Sequence, residues 1–295
     1  MRKIDPTQIN HLDLHKIILG TIGPRPIAFA STLDKEGNPN LSPFSYFNAF
    51  GVNPSTLIFS PARRGQDNTT KHTYQNIKEV PEVVINVVTY DIVQQASLSS
   101  TGYEKGVNEF IKAGLTAEPS EKIRPYRVKE SPVQYECKVR EVVETGDQGG
   151  AGNLVICEIV YVHIREDLFD ENGLVDQTKI DLVGRMGGSY YVRAHGDALF
   201  QVEKPLARKG IGIDRLPEKI KNSDVLTGND LGRLGNIEKL PGGEEVKSLR
   251  KDKEVASIIN TYDHDKDLLR HHLHKHAKKL LDNGEFSKAL QVLML

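Results

Sequence analysis

Apolar and polar positions alternate most clearly between residues 131 and 165. Val133, Tyr135, Cys137 and Val139 alternate with polar residues along Val133–Glu144, the period of a half-buried antiparallel strand. Leu154–Ile164 supplies a second long strand, and the Gly-rich stretch 145–153 joins the two as a flexible hairpin connection. The β-branched run Glu82–Val88 predicts another strand. Shorter strands are expected at Pro26–Leu33, Leu41–Asn48 and Thr56–Ser60. Asp34 to Asn38 turns the chain between the first two, where Gly37 and Asn38 tolerate positive φ, and Asn53-Pro54 turns it before the third.

Helical signals are sparser in this part of the chain. Asp5-Pro6 has the form of an N-cap followed by proline at the first helical position. Thr70–Lys78 and Asp91–Ser100 have helical spacing, and Thr101–Leu115 reads as a polar, Gly-containing connector. Many short strands, few helices and no βαβ rhythm predict a mainly β chain, an antiparallel barrel over about residues 10–194.

Beyond residue 195 the pattern changes. Residues 203–245 are turn-rich and charged, and Gly228–Gly235 reads as a Gly-punctuated loop in the wrong order for a phosphate cradle. Helices are expected at Glu244–Thr261, Asp265–Asn283 and Phe286–Leu295, with Asn283-Gly284 as a stop signal. Their leucines exclude a disordered tail. The expected division is residues 1–195 as one domain and 196–295 as a loop-rich linker with a C-terminal helical extension, packed on the barrel or on a partner subunit.

Composition narrows the partners. Across 295 residues the formal net charge is −1, which gives no argument for a nucleic-acid or acidic-membrane partner. No run approaches the roughly 20 apolar residues of a membrane span. The first residues lack the apolar core of a signal peptide, so a cytoplasmic location is expected. Two cysteines, Cys137 and Cys157, both in expected strands, read as buried thiols of a reducing compartment.

One stretch is unusual. From Leu41 to Asn48, Ser42, Pro43, Ser45, Tyr46 and Asn48 surround Phe44 and Phe47. That is too polar for a plain core strand and suits a strand whose backbone and hydroxyls hold a ligand. Lys71 and Thr73, two residues apart near a helix start, place a cation and a hydroxyl where an anion would bind; a solvated helix start is the alternative.

The segments PRPIAFAST (24–32), NLSPFSYFN (40–48), NPSTLIFS (53–60), TKHTYQNI (70–77), VVINVV (83–88), NEF (108–110), ESPVQYEC (130–137) and RMGGSYY (185–191) occur in an order that resembles the flavin reductase-like, flavoredoxin-type FMN-binding split-barrel family. The resemblance implies a six-stranded Greek-key split barrel, a homodimer, and FMN near the dimer interface. It also implies hydride transfer from NAD(P)H through the flavin to a flavin or protein acceptor. His72 departs from the Lys-Asp-Thr more usual in the family.

Under that resemblance the phosphate needs donors, for which Ser45, Tyr46, Lys71, Thr73 and Arg63 or Arg64 are candidates. Thr32, Leu41 and Ser42, on strands joined by a hairpin, are candidates for the flavin ring, with Phe47 and Asn48 beside them. The segment Asn108-Glu109-Phe110 either closes over the flavin, from its own or a partner subunit, or caps a helix. Arg185, next to Gly187 and Gly188, either meets the flavin or makes an ordinary ion pair. No catalytic acid or base is expected, because hydride transfer needs two aligned rings. His163 reads as a hydrogen-bonded structural residue. His264, His271, His272, His274 and His276 include helical pairs able to bind metal, but a helix face without further ligands is the plainer reading. Two other functions fit the same residues: an FMN electron-transfer protein reduced by a partner, and a non-catalytic flavin-binding scaffold.

Overall fold

In a computed structural model describing residues 1–205 and 209–295, the first long helix is α1 (His11–Thr21), begun by the Asn10 side chain, which accepts the Leu12 N–H at 2.8 Å. The strands β1 (Ala28–Leu33), β2 (Pro39–Phe44), β3 (Phe47–Val52) and β4 (Ser55–Phe59) follow, then α2 (His72–Glu79) and β5 (Glu82–Val87). Two short helices, α3 (Val93–Leu98) and α4 (Glu109–Ala113), precede the two-residue pair β6 (Ala117–Glu118) and β7 (Arg127–Val128). The long strands are β8 (Val133–Glu144) and β9 (Asn153–Ile164), and the small hairpin β10 (Val183–Arg185) and β11 (Tyr191–Arg193) comes last.

The main sheet is antiparallel with order β2-β1-β5-β8-β9-β4-β3. Its two edges, β2 and β3, are consecutive in the chain and separated only by Ser45 and Tyr46. Two residues span at most about 7 Å, so the sheet must curl until its edges meet at that bend. This is the split barrel, with β2 and β3 acting as one bent strand. The expected single strand Leu41–Asn48 is therefore corrected to two. The strand-forming residues on both sides conceal the break.

β1 is buried on both faces, which explains its run of small and apolar residues. Ala28 and Ala30 face a core with Phe44, Phe59, Ile85, Cys137 and Cys157. Phe29 faces a second core with Leu41, Ile92, Phe110 and Val128, under α3 and α4. Both cysteines are free and fully buried. Burial pushes the Cys157 thiol up to about 12 and raises Cys137 well above its usual value, so neither is a ready nucleophile. His163 bonds Glu136, as a structural histidine, at 2.7 Å.

The chain divides into two units, Met1–Phe200 and Gln201–Leu295. The second contains α5 (Glu218–Lys221), α6 (Gly228–Gly235), α7 (Gly243–Ser248), α8 (Lys253–Tyr262), α9 (Lys266–Asp282) and α10 (Phe286–Met294). It has its own core, centred on Ile220, Leu234, Val255, Ala277, Leu281, Leu290 and Leu293. Two expectations change here. Gly228–Gly235 is a helix rather than a loop, because Thr227 and Asp230 form a reciprocal capping box and Leu234 anchors the turn in the core. Glu244–Thr261 is not one helix: Asp252 is extended and caps α8 through Glu254 N–H and Val255 N–H. No helix among the described residues is long and apolar enough to cross a membrane.

Candidate functional site

Four segments converge on an open cleft. β2 contributes Asn40 and Ser42. The approach to α2 contributes Arg64, Lys71, His72 and Thr73. The turn after α3 contributes residues 99–103, and α4 contributes Glu109.

Local structure fixes each wall. Lys71 occupies the N-cap position of α2, with no side-chain cap bond of its own, which leaves the His72 and Thr73 N–H groups without a helical partner. Thr73 is buried, and its hydroxyl accepts from Asn40 Nδ2 at 2.9 Å, tying α2 to β2. Arg64 is held by Nη1 bonds to Thr69 Oγ1 and to the Thr70 carbonyl. Glu109 is only 5% exposed, and its Oε2 accepts the Leu41 N–H at 3.0 Å. That bond satisfies an amide that β2, as an edge strand, would leave unpaired.

The electrostatics favour an anion. Burial lowers the Lys71 pKa, and Arg64 lowers it further. Among the described residues no carboxylate lies within ion-pair distance of Lys71. Burial, Arg64, Lys105 and Lys71 all push His72 down, so its ring is neutral at pH 7. A partly buried lysine with an arginine beside it at a helix N-terminus suits an anion.

The expected site residues fall into two groups. Ser42, Lys71 and Thr73 share the cleft, and Leu41 is buried beside it through its bond to Glu109. Asn108 caps α4, accepting the Phe110 N–H at 3.0 Å, and does not line the cleft. Thr32 is fully buried and bonded to Asn76 at 3.2 Å, so it is not on the cleft wall either.

The second group sits where the barrel edges meet. Ser45 Oγ takes a bond from Arg25 Nε at 3.3 Å. The Arg25 guanidinium also donates to the carbonyls of Leu19, Ile22 and Met186. Tyr46 is partly exposed, Phe47 packs on the barrel core, and the Asn48 side chain turns to the Ala49 N–H. Arg185 pairs with Arg25 through the backbone and lies 4.6 Å from the centroid of the Tyr191 ring. The close approach at Gly187 is to α1, since a Cβ there would come 2.9 Å from Gly20 Cα. Arg63 is occupied by Asn68.

Asn40 and the 99–103 turn escape a reading of the sequence, which notes His72 and Glu109 only within the segments 70–77 and 108–110. The run Ser99-Ser100-Thr101-Gly102 is the signal that was available for the turn. The tail histidines scatter to separate partners, Asp224, Tyr262, Ser223 and Glu254. Among the described residues no group of three or more His, Cys, Asp or Glu could hold a metal ion.

Residues 21–181 match the model of the flavin reductase like domain. An uncharacterised protein of Aquifex aeolicus is 36% identical over 189 residues, covering 64% of this chain and 94% of that one. The crystal structure of nitrilotriacetate monooxygenase component B from Bacillus cereus is similar at 28% identity and a TM-score of 0.64, over 68% of this chain and 98% of the other. That of the 2-nitrobenzoate 2-nitroreductase NbaA from Pseudomonas fluorescens is similar at 28% identity and a TM-score of 0.61, over 68% and 96%.

Proposed function

The chain belongs to the flavin reductase-like family, a flavin-related group of oxidoreductases, and on that premise we propose that it is an FMN-dependent oxidoreductase using NAD(P)H. The observation that carries the proposal is Lys71, partly desolvated and, among the described residues, with no carboxylate at ion-pair distance, in a cleft shared with Arg64 and Thr73. A phosphate fits that donor set: it would take charge-assisted bonds from the two cations and from the α2 amides. Ser42, on the strand that leads from this cleft to the Ser45-Tyr46 bend, would meet the ligand beyond its phosphate. Bound flavin would supply the redox chemistry, accepting hydride and passing electrons on. The protein's own part is to hold and orient, and the rigid β2 wall suits it, pinned at Asn40 and at Leu41.

The acceptor is a flavin or a protein. One solved relative is named as a monooxygenase component and the other as a nitroreductase, so similarity at this level leaves the acceptor open. A homodimer belongs to the same proposal. β3 is a sheet edge with Phe50 64% and Val52 94% exposed, apolar surface that a second copy would cover.

The test is the absorption spectrum of the protein mixed with FMN under anaerobic conditions, with NADH or NADPH added. Bound flavin absorbing near about 450 nm and bleached by either nicotinamide supports the proposal. Bound flavin that neither bleaches would replace it with an electron-transfer role. Failure to bind FMN would overturn both.

A further inference from the structure

Among the described residues, Glu109 is the one carboxylate lining a cleft whose other charged side chains are Arg64 and Lys71. It is 5% exposed and cannot swing away. It sits at the first position of α4, whose cap is Asn108 and whose next residue, Phe110, is 1% exposed in the core. Its Oε2 is committed to the Leu41 N–H. Among the described residues no cation lies within ion-pair distance of it. The charged and ring-bearing side chains that line the same cleft are Arg64, Lys71, His72 and Tyr103; β2 and α3, the elements packed against α4, contribute none that titrates. An anionic ligand entering the cleft would therefore share a poorly solvated space with a fixed carboxylate. Two such anions do not both stay ionised at close range.

We propose that Glu109 is the proton-linked residue of this cleft: it takes up a proton when a phosphate-bearing ligand binds and remains a carboxylic acid in the occupied site. The inference rests on the reading of the cleft as the FMN phosphate site. Burial already raises the Glu109 pKa, against the lowering effect of the Leu41 N–H. The ligand's charge raises it further. Binding is then strongest below the free-state pKa and weakens as pH rises towards the bound-state value, by at most about tenfold per pH unit. His72 is the other group able to accept a proton, so the two must be separated.

The experiment is titration of the full chain with FMN, followed by flavin fluorescence, between about pH 5.5 and pH 8.5. Calorimetry at about pH 7.5, in two buffers of different ionisation enthalpy, counts the protons exchanged where the FMN phosphate is already largely dianionic. Wild type is expected to take up protons on binding. E109Q, which keeps an acceptor for the Leu41 N–H, is expected to lose that uptake and to bind FMN more tightly than wild type at the alkaline end. Equal uptake in the two proteins would assign the proton to His72 and overturn the proposal. If E109Q does not fold, H72Q decides: uptake that survives supports Glu109, and uptake that disappears overturns it. FMN binding without any proton uptake overturns this inference alone. No FMN binding in wild type overturns the reading of the site and this inference with it.

Discussion

The Asn40 side-chain amide donates to the Thr73 hydroxyl at 2.9 Å, with both residues buried, and so joins the edge strand β2 to the first turn of α2. The bond has a structural and a functional consequence. It satisfies two buried polar groups, and it sets the Thr73 hydroxyl relative to the cleft. N40A should cost about 1–3 kcal/mol of stability, the usual penalty for leaving a buried partner unpaired. It should also weaken FMN binding. Urea denaturation and flavin titration measure the two effects separately. Lost stability with unchanged FMN affinity would show that the bond serves only the fold.

Lys71 predicts the opposite pattern. It is partly desolvated and, among the described residues, has no carboxylate at ion-pair distance, so the fold gains little from its charge. K71A should therefore leave stability unchanged or slightly raised. The double variant K71A/T73A removes two phosphate donors, each worth about 1.5–3 kcal/mol when charge-assisted. FMN affinity should fall by at least about tenfold, and the salt dependence of binding should shallow. Unchanged affinity in the double variant would remove the phosphate from this cleft.

Long periodic strands were legible in the sequence because their period survives any tertiary setting. Val133–Glu144 is found with the expected bounds, and the second long strand begins one residue early, at Asn153. Lys71 and Thr73 were legible because a cation and a hydroxyl at a helix start already suggest an anion. The bend at Ser45-Tyr46 was not, since neither residue breaks a strand and the break comes from closure of the barrel. Glu109 was legible only as part of the segment 108–110, and its particular role was not, for a related reason. Its importance comes from the unpaired N–H of Leu41, 68 positions away along the chain. Thr32 is adjacent to β2 across the hairpin, as its sequence position suggests, while its side chain accepts from Asn76 of α2 rather than lining the cleft.

The second unit carries its own core, and the exposed apolar edge proposed as the dimer contact, Phe50 and Val52 of β3, belongs to the first. A chain ending at Phe200 should therefore still fold, bind FMN and remain dimeric by light scattering. A folded monomer would show that residues 201–295 carry the interface. Replacing both exposed residues, as F50S/V52T, should weaken the dimer without lowering the stability of the fold, because neither side chain is buried within it.

The helical unit should lose stability in mild acid through His274. This residue of α9 is 2% exposed, and its Nδ1 lies 2.7 Å from Ser223 Oγ. The same oxygen accepts from the N–H groups of Val225 and Leu226, so its own hydrogen is free to go to the ring nitrogen. A ring that accepts there is neutral at Nδ1. Burial, helped by nearby Arg270 and Lys219, lowers its pKa from 6.5 to about 4. The unfolded chain therefore binds a proton between those values that the folded chain refuses. Stability from this group is complete above about pH 6.5 and declines as pH falls towards 4, by at most about 1.4 kcal/mol per pH unit. Urea midpoints of the full chain, followed by far-UV circular dichroism at about pH 7 and pH 5, should differ more for wild type than for H274Q. Glutamine can accept the Ser223 bond but does not titrate, and all other titrating groups are common to both proteins. Equal pH dependence in the two would place the acid sensitivity elsewhere.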